Sequence, residues 1–284
     1  MYTLDRALAL GAGGPVGAAW MAGLVCGLRR GGVDLSEADL TVGTSTGAII
    51  GAVLTTGQDP GQLATPVRPA DSDGTPPQVD GLRLAEAFAV LGNAASNPAE
   101  ARRRVGQIAL AAETGPEQVH IARMRAMAGA DQWPDRKLLI SVLDAETGEQ
   151  EVFDRASGAS LPSAVAASTA FPGIYPPITI NGRRYMDGSL RSATNAGLAA
   201  GARTLVVIDP QAHLFPRELL QQELAVAGAH TVVTIEPDPA SVRAFGSDLS
   251  DRTAWEPAYQ AGLRQAADAA EQLSLAWETG SNTD

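Results

Sequence analysis

The chain has 284 residues, 45% of them hydrophobic, which is enough to bury the core of one large domain. It carries 21 lysines and arginines against 32 acidic residues, a net charge of −11, so it lacks the basic footprint that nucleic acid or an anionic lipid surface would select. Its single cysteine, Cys26, excludes an internal disulfide and reads as a core residue, and no apolar run approaches the ~20 residues of a membrane-spanning helix. The N-terminal stretch Ala7-Leu8-Ala9-Leu10 follows Asp5 and ends in glycines, so it reads as a first buried strand and not as an export signal. The expected location is therefore cytoplasmic.

The first sixty residues read as a βαβα unit: strand 4–10, the loop Gly11-Ala12-Gly13-Gly14-Pro15-Val16-Gly17, helix 16–30, strand 39–43 and helix 46–56. From Gly57 to Gly81 the composition shifts to Pro, Gly, Asp and Thr, as in Asp71-Ser72-Asp73-Gly74-Thr75-Pro76-Pro77, which predicts no packed element. Amphipathic segments follow at 82–92, 98–113 and 116–129. Residues 57–135 are thus expected to form a helical insertion, serving as an extra packing layer or as a lid or acyl-chain groove.

Lys137 to Leu143 alternates as a strand, Glu146-Thr147-Gly148-Glu149 turns it, and Glu151-Val152-Phe153 returns. A small-residue helix at 161–169 precedes Pro172-Gly173, and Ile178-Thr179-Ile180, Asn181-Gly182 and Arg184-Tyr185-Met186 signal a second hairpin. Alternation then resumes with strand 204–208, helix 216–228, strand 230–235 and an amphipathic helix at 256–277. No internal repeat is present. The pattern predicts a single α/β domain over 1–284, a three-layer α/β/α sandwich around a mostly parallel sheet.

Ser45 stands in Gly43-Thr44-Ser45-Thr46-Gly47, a Gly-x-Ser-x-Gly arrangement between an apolar strand and a helix. Small flanking residues there allow a sharp turn that leaves the hydroxyl exposed. A serine hydroxyl needs a base to take its proton and donors to hold the charge developing on a carbonyl oxygen. The glycine loop at 11–17 could aim backbone N–H groups at the same atom, which suggests serine-based acyl transfer.

For the base, His120 lies in the charged helical segment Glu117-Gln118-Val119-His120 and reads as part of a solvated face. His230 opens a strand and reads as structural. His213, in Pro210-Gln211-Ala212-His213, follows a strand end, where sites gather in α/β folds. The carboxylate candidate is Asp187, in Arg184-Tyr185-Met186-Asp187-Gly188-Ser189, where a glycine permits a turn that presents the side chain at an edge.

With the stretch Ala166-Ala167-Ser168-Thr169-Ala170-Phe171-Pro172-Gly173-Ile174-Tyr175-Pro176-Pro177 leading to Asp187-Gly188, three blocks fall in order, and the sequence resembles the patatin-like phospholipases, in particular their bacterial branch. The resemblance covers most of 4–210 and is weak through 57–135. It implies a patatin-like fold and a Ser45–Asp187 dyad, with an oxyanion hole in the backbone of Gly11, Gly13 and Gly14 and Gly43 and Gly47 framing the elbow. The implied enzyme is a carboxylic ester hydrolase of the phospholipase A type that needs no cofactor. A free aspartate, with a pKa near ~3.9, is a poor base at neutral pH, so such a site must desolvate it. Two departures stand out: Val16 occupies a position where many relatives carry Arg or Lys, and Ser189 follows Asp-Gly where the family often has Gly or Ala.

Three other readings compete. A dinucleotide or Walker loop is disfavoured because the third glycine falls at 17 and Ala18 follows it. A Ser45–Asp187–His213 triad has the chain order of the α/β-hydrolases, but only one βα unit precedes Ser45. A non-catalytic lipid-binding or interaction protein would use Ser45 or Thr46 merely as a helix cap. The acidic residues and the three histidines show no metal-ligand spacing. The expected partner is a lipid or other acyl ester with transient membrane-surface contact, and not nucleic acid.

Overall fold

The computed structural model describes residues 3–66 and 77–278. Among them, eight strands form one sheet: β1 (Leu4–Leu10), β2 (Leu40–Thr44), β3 (Lys137–Asp144), β4 (Gln150–Phe153), β5 (Ile178–Ile180), β6 (Arg183–Asp187), β7 (Ala202–Ile208) and β8 (Thr231–Ile235). Their order is β5-β6-β3-β2-β1-β7-β8, with β4 also paired to β3. The pairs from β8 through β7, β1 and β2 to β3 are parallel, whereas β4, β5 and β6 join antiparallel.

The helices are α1 (Gly14–Arg30), α2 (Thr46–Thr55), α3 (Gly81–Gly92), α4 (Pro98–Ala111), α5 (Glu117–Ala128), α6 (Leu161–Ser168), α7 (Glu218–Ala227), α8 (Pro239–Phe245) and α9 (Trp255–Glu278). Period-two alternation divides the central strands between two layers. Leu8, Leu10, Val206 and Ile208 point into a core shared with α1, α2, α6 and α9, whereas Ala7, Ala9, Leu205 and Val207 face a smaller core that includes Ala227 of α7. The result is the expected α/β/α arrangement around a mostly parallel sheet.

The outer pair α1 and α9 meets backbone to backbone. A Cβ on Gly23 would lie 2.0 Å from the Tyr259 carbonyl oxygen, and one on Gly262 would lie 2.1 Å from that of Trp20. Cys26 is buried on the same helix.

Two elements differ from expectation. Within the supposed structureless stretch after Gly57, Pro60–Ala64 forms a 3-10 turn whose Leu63 is fully buried and whose Leu63 carbonyl accepts from Trp255 Nε1 at 3.0 Å. The Asp59-Pro60 pair that reads as loop chemistry is also a helix-start signature, and the Asp59 carboxylate caps the Gly61 N–H at 2.9 Å. By the same device Asp238-Pro239 starts α8, which the sequence pattern did not predict; the Asp238 carboxylate accepts from Ser241 N. The run 71–76 lies outside the described residues.

Candidate active site

The register of β3 explains why Ser45 and Asp187 meet. β4 covers one edge of β3 from Ile140 to Leu143, and two strands share the other edge. β2 runs parallel to β3 and ends at Thr44 opposite Ser141, while β6 runs antiparallel and ends at Asp187 opposite Val142. Their C-terminal ends therefore converge from opposite directions on adjacent residues of one strand. At that junction Ser45 Oγ donates to Asp187 Oδ2 at 2.7 Å, and both residues are buried.

Ser45 has φ 54° and ψ −122°, a strained conformation for a side-chain-bearing residue. Close packing enforces it. A Cβ at Gly43 would stand 2.6 Å from Ala48 Cα, and one at Gly47 would stand 2.0 Å from the Leu10 carbonyl oxygen, so larger residues could not make the turn. The Ser45 N–H donates to Ser168 Oγ at 2.8 Å, and Ser168 Oγ donates in turn to the Ser141 carbonyl at 2.8 Å.

Asp187 Oδ1 accepts from the Ser189 N–H at 2.8 Å. Burial pushes the carboxyl up to about 6, against the opposing pull of the Ser189 and Ser45 hydrogen bonds. Asn195, fully buried and left-handed at φ 47°, ties the two halves of the site together. Its Nδ2 lies 3.1 Å from Thr44 Oγ1, beside the elbow, and 3.4 Å from the Gly188 carbonyl after Asp187.

The glycine loop lies against both helix starts. The Gly11 N–H donates to the Ile208 carbonyl at 2.9 Å, so Gly11 extends the sheet and offers no free donor. Ala12 N–H is likewise engaged, by the Ala193 carbonyl at 2.8 Å. Among the described residues the N–H groups of Gly13 and Gly14 meet no acceptor, and they sit at the positive end of the 17-residue helix α1. Gly14 has φ +59°, and a Cβ there would approach the Leu249 carbonyl oxygen to 2.8 Å.

A cavity of about 1620 Å³ opens over Ser45 and Asp187, and Gly14 and Thr46 line it. Helices α3, α4 and α5 supply much of its wall, including Leu84, Phe88, Arg102, His120, Met124 and Met127. The segment whose place relative to Ser45 was open in the sequence thus borders the same cavity.

His120 is not on a solvated face. It is 2% exposed, stacked on Tyr175 at 3.9 Å between ring centroids, with Nε2 2.9 Å from Thr169 Oγ1. Burial first, then the Arg123 charge, lowers it to about 3 and keeps it neutral. His120, Arg123, Met124 and Met127 are all buried at the i, i+3, i+4, i+7 spacing of an inward face, a stripe that its two polar members conceal in the sequence.

His213 is exposed, its ring centroid 6.0 Å from that of Phe245, and it makes no hydrogen bond to Ser45 or Asp187. His230 is exposed just ahead of β8, with Nδ1 3.2 Å from Thr231 Oγ1. A second cavity carboxylate, Asp209 at the end of β7, escaped the sequence reading. Burial and the nearby Glu236 charge raise it to about 6, opposed by a hydrogen bond from Gln211 N and by Arg217. Among the described residues no cluster of His, Cys, Asp or Glu is placed to hold a metal ion, and no helix is long and apolar enough to cross a membrane.

An α/β/α sandwich with a serine on a strained strand-to-helix turn beside a buried aspartate defines the class of fold and site. The family model for patatin-like phospholipases matches residues 8–200, and this chain belongs to that family. A search of curated protein sequences finds no match. Among solved structures, VipD from Legionella pneumophila is similar at 10% identity and a TM-score of 0.40, over 93% of this chain and 67% of that one. Human GIVD cytosolic phospholipase A2, in complex with methyl gamma-linolenyl fluorophosphonate, is similar at 12% identity and a TM-score of 0.49, over 98% and 59%. The type III effector protein ExoU is similar at 17% identity and a TM-score of 0.36, over 94% and 53%. This chain thus spans between about half and two thirds of the length of these three.

Proposed function

We propose that this chain is a lipid acyl hydrolase that cleaves a carboxylic ester through a Ser45–Asp187 dyad and an acyl-enzyme intermediate. Ser45 Oγ attacks the ester carbonyl carbon while its proton passes to Asp187 Oδ2 along the 2.7 Å hydrogen bond. The negative charge on the carbonyl oxygen is met by the Gly13 and Gly14 N–H groups and the N-terminus of α1. Collapse of the tetrahedral intermediate expels the alcohol, which takes the proton from Asp187. Water then repeats the sequence on the acyl-serine and releases the fatty acid.

The observation that carries this reading is the buried hydrogen bond itself, made by a carboxyl whose pKa is raised to about 6. A carboxylate so perturbed is a better base near neutral pH than a solvated aspartate, which meets the condition the sequence imposes on a dyad without histidine. The apolar cavity supports a lipid acyl chain as the group held at Ser45. Val79, Phe88, Leu214, Phe215 and Leu219 are large apolar side chains exposed around it, which supports transient contact with a lipid surface.

The test is covalent labelling by a fluorophosphonate together with turnover of p-nitrophenyl acyl esters. Wild type is labelled on Ser45 and turns over; Ser45→Ala does neither. Labelling without ester turnover would leave a binding protein on this fold.

A further inference from the structure

The start of α1 has few amide groups to spare, and a distant segment decides which of them remain. Pro15 has no N–H, and the Gly17 N–H closes the first turn on the Gly13 carbonyl at 2.8 Å. The Val16 N–H donates to the Leu249 carbonyl at 3.2 Å. That leaves the N–H groups of Gly13 and Gly14 at the positive end of the helix, beside the cavity that holds Ser45.

Leu249 belongs to a strap that hangs from the helix it caps. At one end Phe245 of α8 is buried with its ring centroid 6.0 Å from that of Trp20 of α1. At the other end Trp255 of α9 is buried on the Leu63 carbonyl. Between them Gly246 takes φ +71° and ψ −157°, a region that only glycine enters readily. The Asp248 carboxylate then accepts from the Ser250 N–H at 2.8 Å and from its Oγ at 2.7 Å, which sets the turn around Leu249, and the Leu249 side chain packs on the main core. Ser247, Asp248, Leu249 and Ser250 all line the cavity. On the opposite flank of the loop a Cβ on Gly13 would lie 2.8 Å from Pro210 Cβ. The glycine loop is thus clamped between Pro210 and Leu249, both beyond the residues 8–200 that the family model matches.

We propose that Leu249 is a positioning residue for ester cleavage: its carbonyl, by holding the Val16 N–H, fixes the turn that aims the Gly13 and Gly14 N–H groups at the substrate carbonyl oxygen. The inference rests on the lipid acyl hydrolase reading above. Donors stabilise a developing oxyanion most when they are aimed in advance, because reorientation during the reaction consumes the gain. No side chain in Gly11-Ala12-Gly13-Gly14-Pro15-Val16-Gly17 carries a donor, so the aim of its backbone is what this loop contributes.

The test uses Leu249→Gly, which loosens the strap, Leu249→Met, which keeps its wedge, and Gly246→Ala, which strains the backbone where a Cβ meets nothing within 4 Å. Gly228→Ala, also at positive φ and in open space, is the control outside the cavity lining. Each is assayed below its melting temperature on a p-nitrophenyl ester and with an alkyl trifluoromethyl ketone, whose adduct with a serine carries an oxyanion. Leu249→Gly and Gly246→Ala are expected to lower kcat at least about tenfold with KM within about threefold, and to weaken the ketone by the same factor as kcat. Leu249→Met and Gly228→Ala stay within about threefold of wild type. A kcat loss without the matching loss of ketone affinity, no loss in either strap variant, or an equal loss in Gly228→Ala would overturn the proposal.

Amide hydrogen exchange in the wild-type chain needs no variant to fold. The Val16 amide should be protected, those of Gly13 and Gly14 should exchange fast, and the ketone adduct should slow the latter two. A Val16 amide exchanging as fast as that of Gly14 removes the Leu249 contact and the proposal with it. If wild type turns over the ester and is labelled on Ser45 while the strap variants match it, only the Leu249 assignment fails. A wild type that does neither overturns the hydrolase reading itself.

Discussion

Ser45 Oγ and Asp187 Oδ2 stand 2.7 Å apart, and the second carboxylate oxygen of Asp187 is held by a backbone N–H and not by a histidine. Asp187→Asn keeps the shape and removes the proposed base. It should lower kcat on a p-nitrophenyl ester by about 10²–10⁴-fold with a small change in KM, whereas His213→Ala should leave both constants within about twofold of wild type. Loss of activity in His213→Ala with retention in Asp187→Asn would sink the dyad.

The raised pKa of Asp187 sets a pH dependence with a defined sign. The base works as carboxylate, so activity should rise as pH increases through about 6 and level off above it. Asp209 also titrates near 6 in the same cavity. Asp209→Asn should therefore keep the inflection in kcat, and its disappearance in that variant would reassign it.

Stability should run the other way. A carboxyl whose folded pKa lies above its unfolded value of 3.8 contributes stability that is full below about pH 3.8 and lost as pH rises through about 6. Asp187→Asn removes that loss, so at pH 8 the variant should melt above wild type, by up to about 2–3 kcal/mol, and the gap should close below about pH 4. A variant less stable than wild type at pH 8 would contradict the burial penalty.

Ser168 acts on the elbow from behind. Ser168→Ala leaves the Ser45 N–H buried without its acceptor, at a cost of about 1–3 kcal/mol. Fluorophosphonate labelling of Ser45 should slow even at temperatures where the variant is fully folded by circular dichroism. Unchanged labelling would show that Gly43 and Gly47 hold the turn alone.

Gly47 and Gly92 give a matched pair. Gly47→Ala would drive a methyl to 2.0 Å from the Leu10 carbonyl oxygen and should yield no soluble, cooperatively melting protein. Gly92→Ala meets nothing within 4 Å at the end of α3 and should change stability by less than about 1 kcal/mol.

The parallel strands and main helices were readable because apolar runs bounded by glycines mark them; within Leu4–Leu10 alternate residues then divide, Leu8 and Leu10 to one face of the sheet and Ala7 and Ala9 to the other. Ser45 and Asp187 stood out in the sequence because small residues flank both: Gly43 and Gly47 let Ser45 take φ 54°, and Gly188, whose Cβ would lie 2.2 Å from the Ser141 carbonyl oxygen, lets the chain pass close to β3. Ser168 and Asn195 were not, because a side chain whose hydrogen-bond partner lies 123 or 151 residues away leaves no local pattern. His120 was misassigned because charged neighbours on one side of α5 hide a buried face on the other.

Ser45 and its partner are 142 residues apart in sequence, and they meet only where β2 and β6 abut along β3. During synthesis a chain that has emerged only through β3 owns the serine but has nothing to draw off its proton. The hairpin that delivers the carboxylate follows β1 to β4 in the chain and precedes β7 and β8. A chain stopped before β6 therefore holds the serine without the carboxylate, and the proposed dyad exists only once 187 of the 284 residues have been made.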